Sequence, residues 1–158
     1  MTRAFSGVGT YNPCQSIDIS VDLSLISGPS TADEVVQVYV ALANASVLTP
    51  KHSLVSFTRH VFAPGDGDGN HTVVKFKLLP EDHAVLREGD FALTVEPGSR
   101  AVWVGGGQPG TGAAGVALTF KVEGAATTVD ACALQKGGVK RAAEEWQSGN
   151  ADAHLWSP

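Results

Sequence analysis

The segment SIDISVDLSLIS, residues 16–27, sets Ile17, Ile19, Val21, Leu23 and Leu25 against Asp18, Ser20, Asp22 and Ser24. Successive side chains of a strand point to opposite faces, so period two over this length specifies a strand with one dry face and one wet face. The pattern recurs. After the turn residues GPSTADE comes EVVQVYVAL, with Val36, Val38, Val40 and Leu42 on one side and Val35, Gln37 and Tyr39 on the other. β-Branched residues this dense disfavour helix. SLVSFTRHVF reads as a third strand, followed by the glycine- and aspartate-rich loop APGDGDGN. HTVVKFKLL places Val74, Phe76 and Leu78 inward and Val73, Lys75 and Lys77 outward. PEDHAVLREGD suits one helical turn, with Pro80 at its start and carboxylates in its first turn. FALTVEPGS and RAVWVGGG read as short strands around a Pro-Gly turn, and GVALTFKVEG supplies the last, with Val116, Leu118, Phe120 and Val122 facing in.

About seven short strands with turn signals between them, and no helix long enough to cover a parallel sheet, define an all-β sandwich of the fibronectin type III/immunoglobulin kind. Its 158 residues suffice for one domain with a proper core. Phe57, Phe76 and Val38 are expected between the two sheets, with Lys75 on the wet face. The division expected is an irregular N-terminal segment over 1–14, the sandwich over 15–124 and a mostly irregular tail over 125–158. In that tail only VKRAAEEWQ resembles helix.

Composition excludes several classes of partner. The net charge is −5, and no stretch clusters Lys and Arg, so nucleic acid and anionic membrane are not expected. No apolar run approaches the ~18 residues that span a bilayer. MTRAFSGVGTYNPC has one Arg but no apolar segment behind it, which is not the pattern of a signal peptide. The two cysteines, Cys14 and Cys132, lack zinc spacing. A disulfide requires the chain ends to meet; the reading favoured from sequence is two free, buried or half-buried thiols.

The chemistry of a catalytic site is not legible. Lys51–His52 and Arg59–His60 look like catalytic pairs but fall around a β-strand. The five histidines, His52, His60, His71, His83 and His154, show no i, i+4 ligand spacing. His60 and His71 are the two placed to meet across a hairpin. DGDGN imitates the start of a calcium loop, but its sixth position is His71 and its twelfth is Lys77. VGGGQPGTG lacks the Lys-Ser/Thr of a phosphate loop. Neither Asp33–Glu34 nor Glu81–Asp82 forms the convergent carboxylate pair that sugar hydrolysis needs. No catalytic residue, metal or cofactor is therefore expected. Two glycosylation triplets, Asn44-Ala45-Ser46 and Asn70-His71-Thr72, fall in predicted loops and matter only in a secreted chain.

The ordered set DEVVQVYV, TPKHSLVSFTRHVFAPGD, VVKFKLLPED and EPGSRAVWVGGG resembles the fibronectin type III-like domain at the C-terminal end of glycoside hydrolase family 3 enzymes, the β-glucosidases and β-xylosidases. Asp33 to Tyr39, Pro50, Leu54, Phe57, Arg59, Pro64–Gly65, Val74 to Leu78, Pro80 to Asp82, Glu96 to Gly98 and Val104 to Gly106 carry the match, which covers about residues 15 to 123. Ser56 stands where the family has Gly, and His60 where it has Val. ASVLTPKHSLVSF leans towards the β-xylosidase-like members. The resemblance implies a non-catalytic brace packed on the catalytic domains of a glycosidase, as a fragment or a freestanding relative. The Ser-Asp-Trp context of the family's nucleophile does not occur here, and Lys51–His52 matches its sugar-binding Lys-His pair in letters only. The family is often secreted, which leaves the localisation of this chain open.

Two functions from different classes follow. In the first, Tyr39 and Trp103, on outward positions, and Arg59, able to pair with a carboxylate at a domain contact, mark the interface to a catalytic domain of such a glycosidase. In the second, the chain is a freestanding carbohydrate- or protein-binding module whose Tyr39 and Trp103 stack on oligosaccharide. A third reading, hydrolysis by the chain itself, has no residues to carry it.

Overall fold

The structure, a computed structural model, describes residues 9–24, 32–62 and 71–135. Among them are the strands β1 (Thr10–Tyr11), β2 (Ile17–Ser24), β3 (Ala32–Leu42), β4 (Ser53–Phe62), β5 (His71–Leu78), β6 (Val85–Leu86), β7 (Leu93–Val95), β8 (Gly98–Gly105), β9 (Gly115–Val122) and β10 (Thr127–Thr128). A 3-10 turn, Pro80–His83, links β5 to β6, and helix α1, Val129–Gln135, follows β10. The turn begins where Pro80 fixes φ, and the Asp82 carboxylate accepts the Leu79 N–H at 2.7 Å.

One layer is a five-stranded sheet in the order β1-β9-β8-β3-β4. The other consists of the β2–β5 ribbon and the small β10-β7-β6 sheet. All pairings are antiparallel except β1 with β9. The chain is thus an all-β sandwich, as its alternation predicts. Ile17, Ile19, Val21 and Leu23 of β2 face Val36, Val38, Val40, Val102, Val104, Leu118, Phe120 and Val122 of the large sheet, all within one buried cluster. Each such side chain contributes about 1.5–3 kcal/mol on burial.

β4 departs from expectation. Val38 and Phe76 lie in the core, 0% and 8% exposed, but Phe57 is 68% exposed. The cause is a slip in register: Val38 pairs with Ser56 while Tyr39 pairs with Leu54, so Val55 is an extra residue on β4. Beyond this bulge the inward positions are Ser56, Thr58, His60 and Phe62. Phe57, Arg59 and Val61 pair with Gln37, Val35 and Asp33 on the outer face.

Ordered structure extends past residues 15–124 on both sides. β1 receives hydrogen bonds from β9, with Lys121 donating to Gly9 O at 3.0 Å and Glu123 donating to Tyr11 O at 2.9 Å. The Tyr11 ring meets Phe120 edge-on at 5.7 Å. On the other side, Cys132 of α1 is joined to Cys14 by a disulfide. This corrects the reading of two free thiols. The ends meet because β1 is held beside β9 while α1 packs over β7 and β10, a juxtaposition across 118 residues that local pattern does not encode. VKRAAEEWQ lies outside the described residues.

Candidate functional site

The outer face of β3, β4 and β8 gathers the residues singled out above. Tyr39 sits between two cross-strand partners, Trp103 on β8 and Leu54 on β4. Along the β3–β4 pair, Gln37 opposes Phe57, Val35 opposes Arg59, and Asp33 opposes Val61. Residues directly opposite on one face are close enough to touch, so these form a continuous surface. It is apolar: Val35 is 42% exposed, Leu54 51%, Phe57 68% and Val61 50%. The outer face of β2–β5 is built differently. There Asp18 pairs with Lys77 at 2.6 Å, Asp22 approaches His71 at 3.6 Å, and Ser20 opposes Lys75. The β3–β4 face thus exposes four apolar side chains around one ion pair, and the β2–β5 face a single one, Val73, among charged residues.

Arg59 is held within the domain. Its Nε donates to Asp33 Oδ1 at 2.9 Å, and its Nη2 to Asp33 Oδ2, a two-pronged contact diagonal across the β3–β4 ladder. That hydrogen bonding keeps the Asp33 carboxyl below the usual carboxylate range and the Arg59 guanidinium above its own. Tyr39 donates its phenolic hydrogen to Gln37 Oε1 at 2.7 Å.

Trp103 is half-buried, and its own hairpin supplies cover. The indole N–H donates to Gly107 O at 3.1 Å. The ring lies over the paired glycines Gly105 and Gly115: a methyl on Gly105 would fall 2.9 Å from its Nε1, and one on Gly115 2.6 Å from its Cε2. The requirement that another body or the tail cover Trp103, which its outward position implies, is met in part by residues 105–115.

The remaining titratable residues are dispersed. Lys51 and His52 sit in the bend before β4. His60 pairs with Glu34 and rests edge-on against Phe62 at 4.6 Å, while His71 pairs with Ser24 in the other layer. The two are not partners across a hairpin, because the chain changes sheet between β4 and β5. Glu81 is exposed and Asp82 half-buried, with burial holding the Asp82 carboxyl above its ordinary value. Among the described residues no group of three or more His, Cys, Asp and Glu is placed to hold a metal ion. DGDGN and Asn70 lie outside the described residues.

His83 and Arg100 form a buried pair that sequence reasoning missed. Each is 1% exposed. Arg100 donates through Nη2 to Glu96 O at 2.6 Å and through Nη1 to Ser99 O at 3.4 Å. Neither His83 ring nitrogen, nor Arg100 Nε, has a hydrogen-bond partner. His83 rests edge-on against Phe120 at 5.7 Å. Burial, with the Arg100 charge acting in the same direction, lowers the His83 pKa to about 4. The neutral ring packs in the core beside Phe120.

The outer patch itself was half legible. Val35 and Tyr39 were placed outward by period two, but Leu54, Phe57 and Val61 were not. The apolar spacing 54, 55, 57, 61, 62 fits no single alternation, and that break is the signature of the bulge.

Residues 34–108 match the fibronectin type III-like domain. The structure is similar to a β-glucosidase from Listeria innocua in complex with glucose, at TM-score 0.66 and 24% identity over 76% of this chain and 15% of that one. It is similar to a β-glucosidase from Kluyveromyces marxianus in complex with glucose, at TM-score 0.64 and 26% identity over 80% of this chain and 14% of that one. A β-glucosidase from Erythrobacter marinus follows at TM-score 0.59 and 24% identity, over 74% and 15% of the two chains. A comparison with curated proteins found no match. The match over residues 34–108 and the similar β-glucosidase structures bear out the resemblance to the fibronectin type III-like domains of family 3 glycosidases. The chain spans about one seventh of the length of these enzymes.

Proposed function

We propose that this chain is a non-catalytic accessory domain that packs on the catalytic domains of a β-glucosidase- or β-xylosidase-like enzyme, whose activity is the hydrolysis of β-glycosidic bonds in carbohydrate breakdown. The sandwich of residues 15–124, with its clasped flanks, is the unit that docks. Tyr39, Trp103 and Arg59 belong to the docking face, alongside the residues that the register of β4 adds to them.

The observation that carries this reading is the row Val35, Leu54, Phe57 and Val61, left exposed on one sheet face. Contiguous apolar surface of this kind on a small domain marks a contact with another protein. The similar enzymes supply the reason for a missing neighbour, since most of each of their chains has no counterpart here. The Asp33–Arg59 ion pair lies within the row, between Phe57 and Val61, its charges already matched to each other, so it can be covered without leaving a lone charge.

The test is co-purification of the chain with the catalytic domains of a family 3 β-glucosidase from which the C-terminal domain has been removed. A complex is expected, weakened by Phe57→Asp, while the isolated chain leaves aryl β-glucosides and β-xylosides intact. Independent migration of the two components by sedimentation would sink the proposal.

One observation favours a second reading. Tyr39 and Trp103 are cross-strand partners on the same face, and adjacent aromatic rings can stack on sugar. Trp103 fluorescence titrated with xylo- and cello-oligosaccharides separates the two: a saturable shift lost in Tyr39→Ala supports the binding module, and a flat titration supports the docking domain.

A further inference from the structure

We propose that Asn44 is an acceptor for N-linked oligosaccharide. The triplet Asn44-Ala45-Ser46 has no proline at its centre. Its asparagine is exposed in the turn that leaves β3, with φ 60, a left-handed conformation that asparagine tolerates better than most residues. The turn is pinned from behind rather than through Asn44. Ser46 donates its N–H to the Glu96 carboxylate at 3.0 Å and its hydroxyl to the same group, and Ala43 N–H donates to Ser99 O at 3.2 Å. The hydrogen bonds of this turn run through Ser46 and the Ala43 backbone and leave the Asn44 side chain out, so a substituent on its amide displaces none of these contacts.

A triplet alone is a weak signal. The second, independent observation is the Cys14–Cys132 disulfide. Such bonds form and persist in oxidising compartments, one of which is the lumen of the secretory route in which asparagine is glycosylated. Position is compatible with the docking face. Asn44 lies five residues beyond Tyr39, the partner of Leu54 at the near end of the row; the strand from Tyr39 to Leu42 spans roughly 10 Å, and the turn carries Asn44 past its end. A bulky hydrophilic group there stands off the end of the sandwich and leaves the apolar row open.

The transfer requires a lipid-pyrophosphate-linked oligosaccharide as donor. Asn44 Nδ2 forms a bond to the anomeric carbon, the anomeric carbon–oxygen bond breaks, lipid pyrophosphate leaves with the electron pair, and the amide releases one proton.

Peptide mapping of the full chain, directed into the secretory pathway of a eukaryotic cell line in an Asn70→Gln background, tests this. After peptide N-glycosidase treatment in heavy-oxygen water, Asn44 is expected as labelled Asp, with Cys14 and Cys132 recovered as linked peptides. Ser46→Thr should keep the modification and Ser46→Ala should abolish it. Because Ser46→Ala also removes the Glu96 contact, Asn44→Gln, which retains that contact, serves as the folding control by thermal melt. The mapping is done on retained as well as released chain, since transfer precedes release. Disulfide-linked chain with unmodified Asn44, or modification that survives Ser46→Ala, overturns the proposal.

Discussion

The Trp103 ring occupies the space that a side chain at Gly115 would need: an added methyl would lie 2.6 Å from the indole Cε2 and 2.8 Å from Val104 O. Gly→Ala at an unobstructed site with ordinary φ stabilises by about 0.4–1 kcal/mol. Here the sign is reversed, and Gly115→Ala is expected to cost about 1–3 kcal/mol by overpacking. Urea unfolding of Gly115→Ala measures the loss, and the emission of Trp103 should shift with it. Combined with Trp103→Ala the two losses should fall short of additive, because one relieves the other. A neutral or stabilised Gly115→Ala would show that the ring lies elsewhere.

The exposure of the two phenylalanines separates the core from the outer face of β4. Phe76→Ala is expected to cost about 3–5 kcal/mol. Phe57→Ala should stay within about 0.5 kcal/mol, because its ring is already in water. Equal losses in the two denaturation curves would mean that the bulge at Val55 does not exist.

Reduction of Cys14–Cys132 should lower stability by about 2–5 kcal/mol, since the bond closes a long loop and restricts the unfolded chain. The double variant Cys14→Ser/Cys132→Ser should melt where the reduced protein melts. Thermal unfolding with and without reductant reads this directly, and coincident curves would count against the bond.

His83 makes stability depend on pH. In the unfolded chain imidazole takes up its proton near pH 6.5, whereas in the fold it does so only at about 4. Between these values the unfolded state binds more protons, so stability rises with pH. The contribution is complete above pH 6.5 and is lost as pH falls towards 4, on the order of 2–3 kcal/mol. His83→Leu should flatten that part of the profile in urea titrations across the window. An unchanged slope would assign it to the carboxylates.

What sequence could and could not show divides along physical lines. Strands with one face in the core and one in water repeat every two residues, so the inward sets of β2, β3, β5 and β9 were legible residue by residue. β4 departs from expectation because Leu54, Phe57 and Val61 face outward around the bulge, where an apolar side chain does not mark the core. The outer-face residues on β3 and β8, Tyr39 and Trp103, were legible, while Leu54, Phe57 and Val61 were hidden by the same inversion. Disulfide pairing and the His83–Arg100 contact depend on where distant segments come to rest. A histidine in a turn carries no mark that tells a buried ring from a wet one.

The linkage between Cys14 and Cys132 also governs how the domain bears load. Tension applied between the polypeptide on the amino side of Cys14 and that on the carboxyl side of Cys132 passes directly across the sulfur–sulfur bond. Strands β2 to β10 lie on the bypassed arc; β1, on the amino side of Cys14, is pulled, and only its pairing with β9 carries load. Under oxidising conditions the arc between the two cysteines therefore behaves as a rigid bead on a thread, yielding no length until that covalent bond is cut.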